Sequence, residues 1–399
     1  MFHTLNPVPP DPLLGVTEAF RTDSSSAKLD LGVGVYRDAT GQTPVMASVR
    51  MAEQRMLARQ ATKAYVGPAG NRPFAEALAK LTLGDKHPVI TARRVAALQT
   101  PGGSGALRLA AELLKLSGYV GAVHVSDPTW ANHVPLMSGA GLTTVAYPYY
   151  DRATGGVLTG RMLDALEAIE PGSVVLLHAS CHNPTGADLT PANWEALAEL
   201  LARRRLVPLV DLAYQGLGHG LVEDAYGARL LAERLPETLI AVSCSKNFGL
   251  YRERVGLLLA VGENAERATI AMSHIQSLAR RMYSMPPDHG AAVVAEIFAD
   301  QQLYAAWEAE VTVMRERVNG LRRDLAAALR AAFGSARFDF IAGQAGMFSM
   351  LGLAPDLVAK LRTDHHIYMA PDSRVNIAGL TGREIDAVAR AVAAVTGGR

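Results

Sequence analysis

The stretch "SCSKNFGLYRERVG", residues 243–256, puts one amine, Lys246, among small and hydroxyl residues directly after the apolar run "TLIAV", with Arg252 and Arg254 a few positions on. A neutral ε-amine attacks carbonyl carbons to form a Schiff base, and burial among cations lowers its pKa toward working pH. Most loop lysines are simply solvated. The small flanking residues and the preceding strand pattern argue instead that Lys246 lies inside a site.

Three other loops carry polar residues at strand ends or helix starts. In "TPGGSGALRLAAELL", Gly102, Gly103, Ser104 and Gly105 open a helix whose free N–H groups can hold an anion, though such a loop alone is more often a tight turn. It is neither a Walker A loop nor a dinucleotide fingerprint. In "LLHASCHNPTG", Asn183 and Pro184 follow a strand, which usually marks only a turn. In "VPLVDLAYQGLG", Asp211 ends an apolar strand with Tyr214 three positions later. A carboxylate there is costly unless it meets a cation, so it is either a functional group or a helix cap or structural ion pair.

Taken together, the four loops fit one ligand. Ser104, Ser243 and the Arg254 guanidinium suit a phosphate, Lys246 an aldehyde, Asp211 a ring-nitrogen proton, and Tyr214 with Asn183 a ring hydroxyl. That combination is pyridoxal 5'-phosphate.

These loops need a frame. From about residue 48 to 300, short Val/Leu/Ile-rich runs ("AVHVS", "TTVAY", "SVVLLHA", "VPLVDLA", "LIAVS", "VGLLLAV") alternate with helical patterns such as "GALRLAAELLKLSG" and "PANWEALAELLARRR". Continuous apolar strands between helices predict an α/β domain with a mostly parallel sheet covered on both faces, its ligands beyond the carboxyl ends of the strands. A helical stripe follows through Leu303, Trp307, Val311, Met314, Val318, Leu321, Leu325 and Leu329. Short strands around "GMFSML", "IYMA" and "RVNIAG" and a last helix at "TGREIDAVARAVAAV" then give an α+β pattern. The expected organisation is an extended arm over 1–13, a large domain over 44–300, and a small domain from 14–43 and 301–399.

The chain has 399 residues, 49% of them apolar, and a formal net charge of +1. The basic residues are scattered, which argues against nucleic acid or an anionic membrane as partner. Two cysteines, Cys181 and Cys244, cannot make a disulfide framework for this length, and they lack the spacing of a metal site. The start of the sequence has neither a basic nor an apolar leader region, and no run of about 18 apolar residues occurs. A soluble, cytoplasmic protein is the expectation.

The ordered set "TPGGSGALR", "SDPTWANH", "HNPTGADLT", "DLAYQG" and "SCSKNFGLYRERVG", closed by "SRVNIAGL", resembles the class I aminotransferases, in particular the aspartate and aromatic amino acid subgroup. The resemblance runs from "DPLLG" to the last helix. It implies the fold type I architecture of pyridoxal-phosphate enzymes, a homodimer with shared active sites, and Lys246 as both covalent anchor and proton carrier. It further implies that Asp211 keeps the pyridine nitrogen protonated, with His133 behind it, and that Tyr214 and Asn183 bond the phenolate oxygen. Trp130 would stack on the ring. Gly103, Ser104, Ser243 and Arg254 would hold the phosphate, joined by Tyr65 of "TKAYVG" from the neighbouring subunit. Substrate would meet Gly34, Trp130, Asn183, Arg374 for the α-carboxylate and Arg280 for a distal carboxylate; Arg281 beside it is the competing position.

Met285, Ala64 and Ser104 stand where aspartate-selective relatives carry polar Asn, a polar residue and Thr. Smaller or apolar groups there make room for a ring, and methionine adapts to aromatic contacts. Val35, Arg37 and Thr43 look more aspartate-like. The expected activity is transamination of both aromatic and dicarboxylic amino acids with 2-oxo acids, with a strict aspartate enzyme as the alternative. Lyases and decarboxylases of the same fold would not need two carboxylate arginines. A catalytically idle binding protein would be expected to have lost Lys246, Asp211 or Arg374.

Overall fold

The computed structural model describes residues 2–7 and 12–397. Part of the expected arm, residues 1 and 8–11, lies outside the described residues. By internal contacts the chain divides into two compact units: residues 44–183 with 187–317, and residues 1–43, 184–186 and 318–399.

The larger unit is built on seven strands: β1 (Val95–Pro101), β2 (Val123–Asp127), β3 (Thr144–Pro148), β4 (Val174–His178), β5 (Val207–Leu212), β6 (Thr238–Ser243) and β7 (Val255–Val261), ordered β1-β7-β6-β5-β4-β2-β3. Only β7 runs against its neighbours, β1 and β6; the rest pair in parallel. Strands β4, β6 and β7 are buried at every position, as a sheet with helices on both faces requires. Helix α1 (Gly102–Leu116) buries Leu107, Leu109, Ala110 and Leu114 in the same core as Val125, Leu176, Leu209 and Leu258. Helix α2 (Ala265–Met282) adds Ile275 and Leu278. In this topology the carboxyl ends of β4, β5 and β6 lie side by side, so His178, Asp211 and Ser243 share one edge.

The expected small domain starts where helix α3 (Gln301–Phe333) starts, but the compact units divide inside that helix, between 317 and 318. Up to 317, Leu303, Trp307 and Val311 are buried in the larger unit. From Val318 onward, Leu321, Leu325 and Leu329 pack in the smaller unit with Leu31, Phe338, Val375 and Val392. Among its described residues the smaller unit has two short ladders, Leu29–Asp30 parallel to Ile367–Tyr368 and Phe348–Met350 antiparallel to Arg374–Asn376. Arg322 is fully buried there and donates to the carbonyls of Ile341, Ala345, Gly346 and Phe348 and to Ser349 Oγ. A buried guanidinium ringed by acceptors ties the helix to the segment leading into the Phe348 strand.

Candidate active site

Asp211 comes at the end of β5, buried, with Oδ2 3.0 Å from His133 Nε2. His133 opens the short helix His133–Gly139 and is itself completely buried. Its Nδ1 is 2.7 Å from Thr129 Oγ1, which also lies 3.2 Å from His178 Nε2. The ring of His178 is 4.0 Å from that of His182, whose Nε2 is 3.0 Å from Ser126 Oγ. Burial pushes the Asp211 carboxyl upward, but the hydrogen bond and charge of His133, with the charge of Lys246 added, outweigh it and hold the group below its ordinary value. Burial drives His178 down to about 3 and His182 well below the usual range, each helped by the neighbouring histidines. Asp211 is thus an anion supported from behind by one bonded imidazole, with two neutral imidazoles further back.

Lys246 follows β6 in a turn, half-buried, its amine 4.9 Å from the centre of the Tyr214 ring. Asn183 Nδ2 lies 3.5 Å from Tyr214 Oη, and both residues are buried. Asp188 fixes the loop carrying Asn183 by accepting from the backbone N–H groups of Cys181 and His182 at 2.6 and 2.8 Å. Burial raises the Asp188 carboxyl to about 6 despite those bonds. Trp130 is half-buried, its ring edge-on to His133 at 5.2 Å.

The expected anion cradle is equally close-packed. Gly102 has φ 73°, and a Cβ there would come 2.5 Å from Arg254 Nη2; one on Gly103 would come 3.0 Å from Ser243 Cβ. The first turn of α1, with Ser104, therefore lies against Ser243 and the Arg254 guanidinium. Arg254 Nη1 donates to Tyr251 O at 3.1 Å and to Ser245 Oγ at 3.4 Å, while the side chain remains exposed. A helix start, two serines and a guanidinium are the donor set a phosphate dianion needs. A buried carboxylate, a tyrosine, an asparagine and an amine are the set a hydroxypyridine aldehyde needs. The residues fit pyridoxal phosphate.

The chain itself does not gather every expected residue in this cradle. Tyr65 is 92% exposed in the segment after the helix Ala47–Arg59. Arg280 and Arg281 are exposed in the last turn of α2, Arg280 donating to Ser284 Oγ and Arg281 to Ser277 O. Arg374 and Gly34 belong to the smaller unit, where Phe348 brings them together. The Arg374 guanidinium lies 4.3 Å from the centre of the Phe348 ring, and a Cβ on Gly34 would come 2.7 Å from Phe348 Cζ. Arg374 Nη2 also donates to Gly32 O at 2.9 Å. Arg37 is committed to an ion pair with Asp30 at 3.1 Å.

Sequence reasoning missed His178, His182, Thr129, Ser245 and Phe348. His178 had a signal, since it ends the apolar strand "SVVLLHA" one strand away from Asp211.

Residues 26–392 match the family model for aminotransferase class I and II. The chain belongs to the class I and II aminotransferase family. The aromatic-amino-acid aminotransferase of Pseudomonas aeruginosa is 48% identical over 388 residues, covering 97% of each chain. The aspartate aminotransferase of Escherichia coli is 41% identical over 395 residues, 99% of this chain and 100% of that one. The solved structure of the Burkholderia pseudomallei aromatic-amino-acid aminotransferase, covalently bound to pyridoxal phosphate, superimposes with a TM-score of 0.96 at 41% identity, covering 99% of both. This aminotransferase has the fold type I architecture: a mostly parallel sheet flanked by helices.

Proposed function

We propose that the chain is a pyridoxal-phosphate-dependent aminotransferase moving amino groups between aromatic or dicarboxylic amino acids and 2-oxo acids such as 2-oxoglutarate. The observation that carries the reading is the buried Asp211–His133 pair at the end of β5, with Lys246 just past the end of the adjacent β6. When bound, the cofactor supplies an aldehyde for amines and a protonated ring that accepts the electron pair left on the substrate α-carbon. Asp211 holds the ring-nitrogen proton, and His133 keeps Asp211 anionic. Tyr214 and Asn183 hold the ring oxygen. The α1 start with Gly103 and Ser104, together with Ser243 and Arg254, holds the phosphate, and Trp130 covers the ring face.

Lys246 has two tasks. It would hold the cofactor covalently at rest, and its amine, once freed by the incoming amino group, would carry the proton from the substrate α-carbon across the nitrogen to the former aldehyde carbon, two atoms away. Arg374 takes the α-carboxylate through its fork, stiffened by Gly32 O and the Phe348 ring, while Gly34 leaves room beside it. Arg280 takes a distal carboxylate. Tyr65 and Arg280, both exposed on this chain, suit a homodimer in which each subunit completes its neighbour's site. Two free, buried cysteines suit a reducing, cytoplasmic compartment.

The aromatic half of the substrate range is supported by 47–48% identity to enzymes named for aromatic amino acids or tyrosine, and by Met285 and Ala64, apolar where aspartate-selective relatives carry polar residues. The dicarboxylate half is supported by 41–42% identity to aspartate aminotransferases. Lys246→Ala abolishes turnover while the protein still binds the cofactor noncovalently; full turnover in that variant refutes the mechanism. Arg280→Ala lowers kcat/KM for aspartate far more than for phenylalanine, and equal losses refute its assignment.

A further inference from the structure

The opposite end of the same sheet carries a cavity of about 350 Å³, within the roughly 300–1,000 Å³ typical of small-molecule sites. It lies where β5 and β6 begin and β7 ends. Its floor is Leu114 of α1, Leu239 of β6 and Ala260 of β7, and Ile270 and Ala271 of α2 form a wall. Along β6, five residue steps separate Thr238 at this end from Ser243 at the other, roughly 17 Å. The cavity is therefore distinct from the cradle around Lys246.

Four exposed polar side chains line it: Ser117, whose hydroxyl donates to Leu114 O, and Glu237, Arg267 and His274. Thr238 pairs with Val261, so Glu237 is the next residue outward, opposite Gly262. A Cβ on Gly262 would come 3.2 Å from the Cβ of Arg267. Glu237 and Arg267 thus flank one glycine, an acid and a base side by side. Among the described residues neither side chain makes a hydrogen bond or ion pair. His274 lies seven positions beyond Arg267 on the same face of α2, roughly 10 Å along the axis, with Ile270 and Ala271 between them.

We propose that this cavity binds a free amino acid with an apolar side chain. Glu237 receives the α-ammonium, Arg267 the α-carboxylate, and the side chain lies along Ile270 and Ala271 toward His274. A simple carboxylate would sit against the Glu237 charge and a simple amine against Arg267, so the mouth discriminates in favour of a ligand carrying both charges. The proposal stands apart from the substrate reading above, because it uses none of the same residues.

The test is equilibrium dialysis of labelled L-phenylalanine against Arg374→Ala enzyme reconstituted with pyridoxamine phosphate. That background has no aldehyde to react and lacks the proposed active-site carboxylate fork. The expected result is one saturable phenylalanine per chain. Binding weakens at least about tenfold on adding Glu237→Gln or Arg267→Gln, as for loss of a charge-assisted contact, and likewise with Ala271→Trp, which fills the cavity without altering a charge. 3-Phenylpropionate, lacking the amine, binds at least about tenfold more weakly. In the otherwise wild-type enzyme, Glu237→Gln and Arg267→Gln leave kcat and KM unchanged. No binding in the Arg374→Ala background, binding indifferent to all three cavity variants, or equal binding of 3-phenylpropionate overturns the proposal. Failure of the active-site reading would appear instead as absent turnover in the wild-type enzyme, which this dialysis does not measure.

Discussion

Gly102→Ala is the sharpest probe of the phosphate cradle. The residue opens α1 at φ 73°, a conformation that costs a non-glycine residue roughly 1–2 kcal/mol. The added methyl would stand 2.5 Å from Arg254 Nη2, against a carbon–nitrogen contact distance of about 3.5 Å, so the guanidinium must retreat by roughly 1 Å. Its 3.4 Å bond to Ser245 Oγ is the weaker of its two anchors and yields first. Displacing the guanidinium from a bound phosphate loses one charge-assisted hydrogen bond, about 1.5–3 kcal/mol, or roughly ten- to 150-fold in affinity. The assay is titration of the apoenzyme with pyridoxal phosphate, followed by return of the cofactor absorbance. The dissociation constant should rise by that factor, with kcat near wild type once the cofactor saturates. A cofactor affinity within about twofold of wild type would refute the assignment of Arg254 and the α1 start to the phosphate, whatever happens to thermal stability.

Two further predictions concern the buried histidines. With His133→Phe, burial of Asp211 is no longer opposed by its bonded imidazole, so its carboxyl titrates higher and the acid limb of kcat/KM moves to higher pH; an unmoved limb removes His133 from that role. His178 is held neutral with its pKa near 3 against an ordinary 6.5. The unfolded chain therefore binds the extra proton first, and stability is full above pH 6.5 and falls as the pH drops toward 3, by up to about 5 kcal/mol for this one group. His178→Asn should flatten the dependence of unfolding free energy on pH over that window, and an unchanged slope would contradict the burial argument.

The large sheet was legible because β4, β6 and β7 are buried on both faces, which leaves uninterrupted apolar runs. Strand β1 escaped notice because its buried Gln99 and Thr100 break that pattern. Gln99 is accommodated by donating to Pro287 O and accepting from Asn71 N, partners distant in sequence. Lys246, Asp211, Asn183 and Tyr214 could be picked out because each sits at a strand end with an ordered motif around it. His178 alone is marked by its strand end; the histidine row as a whole is not, since nothing local ties His178 and His182 to Thr129 and Ser126 until β2 and β4 pair. Nothing in the helical stripe singles out Arg322; only the fold reveals that it donates to backbone carbonyls in the core. The division of α3 between the two units leaves no mark in its heptad-like stripe, because both halves bury the same kind of residue.

The central claim is that this chain transaminates through Lys246 with both aromatic and dicarboxylic amino acids. It is tested most directly by single-turnover titration of the yellow holoenzyme with L-phenylalanine and, separately, L-aspartate, following loss of the aldehyde-form absorbance as the pyridoxamine form appears. Conversion by both, at comparable efficiency, is the predicted result. Conversion by aspartate alone would make it a strict aspartate aminotransferase, and conversion by neither would contradict the account.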